Sequence, residues 1–396
     1  MSEKIAGLKK KFIEIYGGEE ADLRVFASPG RVNLIGEHID YCGGYVFPAA
    51  ITLDSTVIAR KRTDRTIRLA ATDLPDRVAA SLDHLEDGKS LKWGNYQLGV
   101  ADELQKAGYK LTGVDMLFHD TVPLGSGLSS SAAIQLATAI TLVTLGNEEH
   151  KISIPIDNVQ LAVISQRAEH NFIGVKCGIM DQFASAMGRK DQAMLLDCGT
   201  LNYKYTPLKL DGYRIVLANT KKKRGLGESK YNERVSETSE GLAILKQFLP
   251  EKVHLCDVTI EEFEKYKEKI IDPIIRKRVE HVVYENARVL KSFDALQSND
   301  LKTFAVLLKE AHASIRDLYE VTGFELDTMV EEALKVEGCI GARMTGAGFG
   351  GCTVNIVKEA NVEDFIKIVG EKYSQKTGLT PEFYVCDIGE GSREII

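Results

Sequence analysis

The sequence lacks the patterns that mark disulfide-stapled, zinc-binding and exported proteins. Its seven cysteines are scattered and odd in number, and no C-x-x-C or H-x-x-x-H pair occurs. A disulfide framework or a zinc cage is therefore not expected, and reduced thiols fit the pattern best. The first residues also lack the apolar core of a signal peptide. Together these absences predict a cytoplasmic protein.

Long apolar runs and an excess of basic charge are also missing. The most apolar helical stretch, 132–145, is too short and too rich in Thr and Gln to span a bilayer. Fifty lysines and arginines against 57 aspartates and glutamates give a net charge of −7. That balance argues against a dedicated nucleic-acid-binding protein, although a locally positive pocket can still take an anion. We expect neither nucleic acid nor a membrane as a partner.

What the chain does contain is typical of a globular protein. Of its 396 residues, 44% are hydrophobic and 27% are charged, so it can bury enough apolar surface to fold. A domain takes roughly 100–200 residues, which favours two domains. Strand patterns dominate the first half, and charged helices dominate after residue 205. We predict an α+β fold with mixed or antiparallel sheets and helices, in two domains at 1–200 and 201–396.

Hydrophobic periodicity and turn residues predict the individual elements. Helices are predicted over 1–16, 95–107, 129–145, 157–172, 181–187, 228–248, 260–296, 300–318 and 325–336. Strands are predicted over 24–27, within 45–71, and over 114–119, 193–197, 213–218, 352–357 and 383–388. The first strand is expected to end at Pro29 and Gly30. Helix 129–145 is apolar on most faces, so we expect it to be buried.

The loop at 28–44 is the first candidate for chemistry. Arg31, Glu37, His38 and Asp40 lie within ten positions, with four glycines around them. Carboxylates accept hydrogen bonds in pairs, which suits sugar hydroxyls, and Arg offers a cationic fork suited to phosphate. The alternative is a polar turn with internal salt bridges.

The segment 125–131 is the second candidate, since two glycines and three serines run straight into a predicted helix. Glycines allow close backbone approach to an anion, and the free N–H groups at a helix start carry about half a positive charge. These features predict a phosphate cradle. The alternative is a plain serine-capped helix.

Common nucleotide motifs do not fit the chain. The G-K-S at 88–90 lacks the Walker glycine, because position 83 is Asp, and no H-R-D or D-F-G occurs. The G-x-G-x-x-G at 346–351 is followed by only 45 residues, too few for a dinucleotide domain. We expect this glycine-rich segment to pack against the active site instead.

Three further sites have two interpretations each. Asp181 follows a glycine and precedes a helical run, so it is either an N-cap or a functional acid. Glu169 on a helix would ordinarily be a solvated surface residue. The basic run Lys221, Lys222, Lys223 and Arg224 is expected to be a solvated loop, with phosphate binding as the lesser alternative.

Three motifs, in this order, resemble those of a known family. Residues 30–41 resemble the galactokinase signature, residues 123–133 resemble the ATP loop of the wider GHMP small-molecule kinases, and residues 345–352 resemble their third motif. Segments 177–182 and 229–234 also fit, so the resemblance covers nearly the whole chain. Ile39 and Cys42 depart from the common signature toward N-acetylgalactosamine kinases and fungal galactokinases, whereas residues 43–48 resemble the bacterial galactokinase form.

The resemblance implies a role for each matching residue. Asp181 would be the base that faces the anomeric hydroxyl, and Arg31 would steady the transferring phosphoryl group. A carboxylate beside an arginine is a weaker base, so Asp181 either deprotonates or orients the hydroxyl. The sugar would be bound by Glu37, His38, Ile39, Asp40, Gly178, Asp181 and Tyr231. The ATP phosphates would be wrapped by Gly125, Ser126, Gly127, Leu128, Ser129, Ser130 and Ser131. Mg²⁺ would be held by Ser131 and Glu169, and the supporting loop would be formed by Gly346, Gly348 and Gly350.

The resemblance therefore implies a monomeric, ATP- and Mg²⁺-dependent sugar 1-kinase that converts D-galactose to galactose 1-phosphate in a cleft between its two domains. Positioning and charge neutralisation carry most of phosphoryl-transfer catalysis, so the implied roles are chemically coherent. One alternative is a kinase of the same type for N-acetylgalactosamine or another sugar. The other is a non-catalytic sugar sensor.

Overall fold

The computed structural model describes residues 2–91, 93–223 and 227–395. For residues 2, 227 and 228 it describes the backbone alone. The helices are α1 (Ser2–Tyr16), α2 (Asn95–Lys106), α3 (Ser130–Glu149), α4 (Asn158–Ala168), α5 (Met180–Met187), α6 (Gly227–Leu245), α7 (Ile260–Tyr266), α8 (Pro273–Gln297), α9 (Leu301–Ser314), α10 (Gly323–Lys335) and α11 (Val362–Thr377). The strands are β1 (Arg24–Asn33), β2 (Tyr45–Val46), β3 (Pro48–Lys61), β4 (Thr66–Ala71), β5 (Val78–Ser81), β6 (Val114–Asp120), β7 (Gln192–Asp197), β8 (Tyr203–Pro207), β9 (Tyr213–Asn219), β10 (Cys339–Thr345), β11 (Cys352–Lys358), β12 (Glu382–Cys386) and β13 (Arg393–Glu394).

A six-stranded sheet in the order β13-β1-β3-β6-β4-β5 forms the first half of the molecule. Its strands pair antiparallel except for β4 and β6, which are parallel. Alternate residues of a strand point to opposite faces. Val25 and Ile58 accordingly face helix α1, whereas Phe26 and Val57 belong to the main core under α3. The predicted α+β class with mixed sheets is confirmed.

Strand β1 is longer than predicted, and the expected end at Pro29 and Gly30 was wrong. The register of β1 against β3 shifts between Pro29 and Arg31, which is a bulge, and a bulge tolerates a proline that has no N–H to donate. A Cβ on Gly30 would lie 2.5 Å from the carbonyl oxygen of Leu128. Glycine therefore lets the strand pass this point and continue to Asn33.

Helix α3 is buried on most sides, as its apolar sequence predicts. It packs on β1 and β3 and also against α2, α4 and α5. Because the sheet lies beneath it and helices flank it, the start of α3 is held close to the bulge of β1. This packing brings the glycine-serine segment to the edge of the sheet.

The second half is built around a four-stranded antiparallel sheet in the order β10-β11-β9-β12. Helices α10 and α11 cover it through a separate apolar cluster that includes Met329 and Phe365. The predicted helix 260–296 is two helices, because Asp272 caps a new helix that begins at Pro273. Short π-helical turns at Glu169–Ile173 and Ile315–Tyr319 extend α4 and α9.

The two halves interlock. A third sheet, β2-β7-β8, joins strands on both sides of residue 200. Strand β13 returns from the second half to pair with β1. Among the described helices, none is both long enough and apolar enough to cross a membrane.

Candidate functional site

Arg31 and Asp181 form the centre of the site. The Nε and Nη2 atoms of Arg31 donate to Asp181 Oδ1 at 2.9 and 2.6 Å. The remaining terminal nitrogen, Nη1, donates to the carbonyl oxygen of Gly127 at 2.6 Å. Arg31 is 3% exposed, whereas the side chain of Asp181 is 32% exposed. One guanidinium thus connects an accessible acid to the glycine-serine segment.

The bulge of β1 explains why Arg31 reaches both partners. The backbone N–H of Arg31 donates to the carbonyl oxygen of Leu128, so the strand is tied to segment 125–131 at the residue that bears the guanidinium. Asp181 lies in the first turn of α5, and its carboxylate does not cap that helix. The N-cap interpretation of Asp181 is therefore not what the structure shows.

The start of α3 differs from the predicted serine cap. Ser129 has a left-handed backbone with φ of 63° and makes no capping hydrogen bond. Its hydroxyl instead donates to Asp181 Oδ2 at 2.6 Å. Ser126 closes the loop by donating to the carbonyl oxygen of Pro123. The first turn of α3 therefore lacks a side-chain cap, which is the state in which its N–H groups can receive an anion.

Glu37 is almost fully buried, and four donors converge on its carboxylate. Arg343 Nη2 and Asn33 Nδ2 each lie 2.6 Å from Oε2. The Gly346 N–H donates to Oε1 at 2.7 Å, and the Thr345 hydroxyl lies 3.2 Å from it. Burial raises the pKa of Glu37, and Arg343 opposes that shift. This carboxylate ties the loop 28–44 to the third motif.

His38 and Ile39 have different surroundings although they are neighbours. His38 is 4% exposed, and its ring nitrogens lie 2.9 Å from the Tyr41 hydroxyl and 3.1 Å from the Ala347 carbonyl oxygen. Burial lowers the pKa of His38 to about 3. The Ile39 side chain is fully buried in the main core. It supports the loop from beneath and does not line the cavity described below.

Asp40 and Gly178 fit together closely. A Cβ at position 178 would lie 1.8 Å from Asp40 Oδ2, so only glycine leaves the carboxylate its place. Burial raises the pKa of Asp40 to about 7, and the negative charge of Asp181 adds to the shift. Tyr231, on α6, packs its ring 5.4 Å from that of His38.

These residues surround a cavity of about 70 Å³. Its lining comprises Arg31, Glu37, His38, Asp40, Cys177, Gly178, Met180, Asp181, Tyr231, Gly346 and Ala347. The structure thus brings together every residue predicted to bind the sugar except Ile39. Cys177, Met180 and Ala347 were not predicted, although all three lie within or beside the recognised motifs.

Glu169 is buried rather than solvated. It begins a π-helical turn, and its Oε2 accepts from Gln182 Nε2 at 2.7 Å. Gln182 also contacts Gln135, which lies one turn beyond Ser131 on α3 and therefore on the same face. Burial raises the pKa of Glu169 to about 7, and the charge of Asp181 contributes. No cluster of three or more acidic, His or Cys side chains suited to a metal occurs among the described residues.

The third motif packs against the phosphate segment, as its glycines suggested. Gly346, Gly348 and Gly350 all have positive φ. A Cβ on Gly346 would lie 2.8 Å from the carbonyl oxygen of Gly127, and one on Gly348 would lie 2.2 Å from that of Val321. The glycines therefore allow backbone segments to approach each other closely, and they do not form a dinucleotide-binding loop.

A second cavity, of about 400 Å³, begins at Pro123 and Leu124, next to the glycine-serine segment. Trp93, Phe118, Ile134 and Tyr384 contribute to its walls. Three buried polar atoms there lack a hydrogen-bond partner, namely Trp93 Nε1, Gln97 Oε1 and Asp120 Oδ1. Sequence analysis missed this site because its residues come from separate segments and follow no motif.

The basic run is a surface feature in its described part. Lys221 pairs with Glu382 and Lys222 pairs with Glu325, at exposed positions. These ion pairs agree with the predicted solvated loop. Arg224, the last residue of the run, lies outside the described residues.

Family models cover the parts of the chain that build the site. The galactokinase galactose-binding signature matches residues 10–61, which contain the loop 28–44. The GHMP kinases N terminal domain matches residues 95–189, which contain the phosphate segment, Glu169 and Asp181. The GHMP kinases C terminal model matches residues 292–375, which contain the third motif.

Individual proteins match over nearly the full length. A galactokinase of Clostridium tetani is 49% identical over 98% of this chain and 97% of its own. A galactokinase of Bacillus subtilis is 44% identical over 100% of this chain and 99% of its own. Among solved structures, Lactococcus lactis galactokinase complexed with galactose superposes with a TM-score of 0.93 at 42% identity, covering 99% of this chain and 100% of that one. Methanococcus jannaschii mevalonate kinase, at 19% identity and a TM-score of 0.63 over 92% of this chain and 98% of that one, shares the fold.

Proposed function

Since this chain belongs to the galactokinase family of GHMP kinases, it is an ATP-dependent galactokinase, and we propose that Arg31 and Asp181 direct the phosphoryl transfer to the C1 hydroxyl of D-galactose. The products are galactose 1-phosphate and ADP. The contact that carries this assignment of roles is the bridge that Arg31 makes between Asp181 and Gly127. It sets the acid that faces the sugar beside the segment that receives the phosphates.

The hydrogen bonds of Asp181 indicate which oxygen meets the sugar. Oδ1 accepts both Arg31 bonds, whereas Oδ2 accepts one bond, from Ser129. A carboxylate oxygen can accept two hydrogen bonds, so Oδ2 has room for the anomeric hydroxyl. Asp181 then orients that hydroxyl and receives its proton as the bond to phosphorus forms. The neighbouring Arg31 guanidinium neutralises charge on the transferred group.

The rest of the cleft divides between the sugar and the nucleotide. Glu37, His38, Asp40, Gly178 and Tyr231 surround the sugar in the 70 Å³ cavity. The N–H groups at the start of α3 and the glycines of segment 125–131 receive the phosphates. The 400 Å³ cavity beyond Pro123, whose walls include Trp93, Phe118 and Tyr384, takes the adenine base.

We propose that the oxygen donors of Ser131 and Glu169 would hold Mg²⁺. Gln182 donates to Glu169, and its own buried oxygen Oε1 has no hydrogen-bond partner, so it could accept from a metal-bound water. Mg²⁺ keeps several waters and binds substrate phosphates, so two protein oxygens suffice. When bound, it supplies neutralisation of phosphate charge.

We also propose that the enzyme works as a cytoplasmic monomer. All seven cysteines are free thiols, which suits a reducing compartment. The contacts that carry the proposed roles, from Arg31 to Asp181 and to Gly127, are made within a single chain, which supports a monomer.

One experiment tests the proposal. Asp181→Asn should lower kcat by about 10²–10⁴-fold, the usual contribution of a positioned base, while galactose still binds. The matched control is Asp364→Asn, at an exposed position on α11, which should match the parent enzyme. A coupled ADP assay and calorimetry provide the two readings. Full-rate turnover by the Asp181 variant would remove that residue from the mechanism.

The same assay separates galactose from other acceptors. Galactose, N-acetylgalactosamine, glucose, arabinose and mevalonate are each tested with and without Mg²⁺. We expect ATP consumption with galactose and loss of activity when Mg²⁺ is chelated. Faster turnover of N-acetylgalactosamine would reassign the substrate, and binding without ADP release from any sugar would indicate a sensor.

A further inference from the structure

A chain of hydrogen bonds runs beneath the sugar cavity from the π-helical turn after α9 to the third motif. The hydroxyls of Tyr319 and Tyr41 lie 2.7 Å apart. The Tyr41 hydroxyl lies 2.9 Å from Nδ1 of His38, and Nε2 of His38 lies 3.1 Å from the carbonyl oxygen of Ala347. His38 and Ala347 line the proposed sugar cavity, so this chain of hydrogen bonds ends at the cavity wall.

The direction of every bond in this chain follows from its last member. A carbonyl oxygen can only accept, so Nε2 of His38 carries a proton. The buried imidazole is neutral, because burial lowers the pKa of His38 to about 3, and its Nδ1 must then accept. Tyr41 therefore donates to Nδ1 and in turn accepts from Tyr319. The four groups of this hydrogen-bond chain therefore have one consistent arrangement of protons.

Tyr319 is fixed from behind by two buried arginines. Arg234 Nε donates to its carbonyl oxygen at 2.8 Å, and Arg278 Nη1 donates to that of Leu318 at 2.5 Å. Both arginines also bind Glu237. Tyr319 is fully buried, so its hydroxyl is held in a set position at the start of the chain.

His38 needs such support because its backbone is strained. Its φ of 63° lies in the left-handed region, which non-glycine residues adopt only when their surroundings impose it. The rings of Tyr319 and Tyr231 lie 5.0 and 5.4 Å from its own. Contact with these two rings restricts the imidazole, and the hydrogen bond from Tyr41 determines its orientation.

We propose that Tyr41 is a positioning residue for the sugar site, with Tyr319 supporting it. The Tyr41 hydroxyl orients His38, and His38 in turn holds the loop 28–44 against Ala347. The inference rests on the proposed function, because it takes the cavity beside Asp40 and Asp181 to be the galactose site. Two tyrosines that do not touch the reacting groups would then contribute to the affinity for galactose.

The test separates binding from chemistry. In Tyr41→Phe, the buried Nδ1 of His38 loses its donor, and we expect the KM for galactose to rise about tenfold, in line with an unpaired buried acceptor. The kcat and the KM for ATP should stay within about twofold, since neither the Arg31 pair nor the phosphate segment is touched. Tyr319→Phe should change the galactose KM in the same direction by about threefold, because Tyr41 still donates to His38.

The matched control is Tyr16→Phe. This variant likewise deletes one tyrosine hydroxyl, which here donates to the carbonyl oxygen of Met116 on the α1 side of the sheet. Its kinetic constants should equal those of the parent enzyme. Calorimetric galactose binding by each folded variant repeats the comparison without turnover. A Tyr41→Phe enzyme with an unchanged galactose KM and affinity would overturn the proposal, as would equal losses for galactose and ATP. A parent enzyme that does not phosphorylate galactose would contradict the proposed function instead.

Discussion

Three carboxylates of the cleft differ in their hydrogen bonds and their burial because their neighbours differ. Asp181 is bound by Arg31 and Ser129 and remains accessible. Glu37 has both oxygens occupied by protein donors. Burial raises the pKa of Asp40 to about 7, and the negative charge of Asp181 adds to that shift. The same chemical group therefore secures a loop at Glu37, whereas at Asp181 and Asp40 it faces the cavity that we propose for the sugar.

The shifted pKa of Asp40 predicts a pH-dependent affinity for galactose. A raised pKa means that Asp40 is mostly protonated at pH 6 and ionised at pH 8, and the ionised form is the better acceptor for sugar hydroxyls. Calorimetry without ATP or Mg²⁺ should give a galactose Kd about tenfold weaker at pH 6 than at pH 8.

Asp40→Asn serves as the reference for this titration, because Asn stays neutral. The variant should bind galactose more weakly than the parent at pH 8 and should show a flat profile. A parent profile that is flat over the same range would show that Asp40 does not titrate there.

Residues of the site were predictable from sequence where they lie in short contiguous motifs. Arg31, Glu37, His38 and Asp40 come from one loop, so their proximity was evident before the fold was known. The 400 Å³ cavity is different, because Trp93 and Tyr384 meet only after two distant segments pack together. No local pattern carries that information.

At the scale of elements, the site depends on places where regular structure is interrupted. The bulge of β1 presents Arg31, and the uncapped start of α3 presents free N–H groups. A π-helical turn positions Glu169 and another positions Tyr319. Periodicity predicted most of the helices and longer strands, but it missed α11 and the strands β5, β8, β10 and β13. It could not predict the bulge, the π turns or the break before Pro273, because each depends on a tertiary contact or on one local residue.

Gly30 offers a test of the bulge. Gly30→Ala would place a Cβ 2.5 Å from the Leu128 carbonyl oxygen, and two backbones would have to separate. The resulting shift of Arg31 should lower kcat/KM by about 10²-fold, as displacements near 1 Å can do. Gly7→Ala is the control, since nothing lies within 4 Å of that position in α1, and it should leave kcat/KM unchanged. Equal activity of the two variants would contradict the role given to the bulge.

At the scale of the whole molecule, one buried ion pair joins the two halves. Arg343 on β10 is fully buried and binds Glu37 Oε2, and its Nη1 donates to the carbonyl oxygens of Asn33 and Leu34. Sequence analysis placed a boundary near residue 200 but had no means to see this pair, which links positions about 300 residues apart. The two-domain division at residue 200 stays a prediction.

Removing one partner of this pair should be costly. Arg343→Met leaves the Glu37 charge buried without its counter-ion, so the free energy of unfolding should fall by about 3–5 kcal/mol in urea titrations. Adding Glu37→Gln should recover part of that loss, because the unpaired charge disappears. A fall below about 1 kcal/mol for the single variant would show that the pair contributes little.

Strand β13 has a consequence for how the protein is made. It pairs with the strand that bears Arg31, and Ser392 beside it bonds the hydroxyl of Ser28. A ribosome that is adding residue 380 has already translated every motif of the cleft, yet the edge of the first sheet at β1 is still open. The nascent chain therefore carries an unpaired β edge until residue 394 emerges, and the strand that bears Arg31 gains its final neighbour only at that stage.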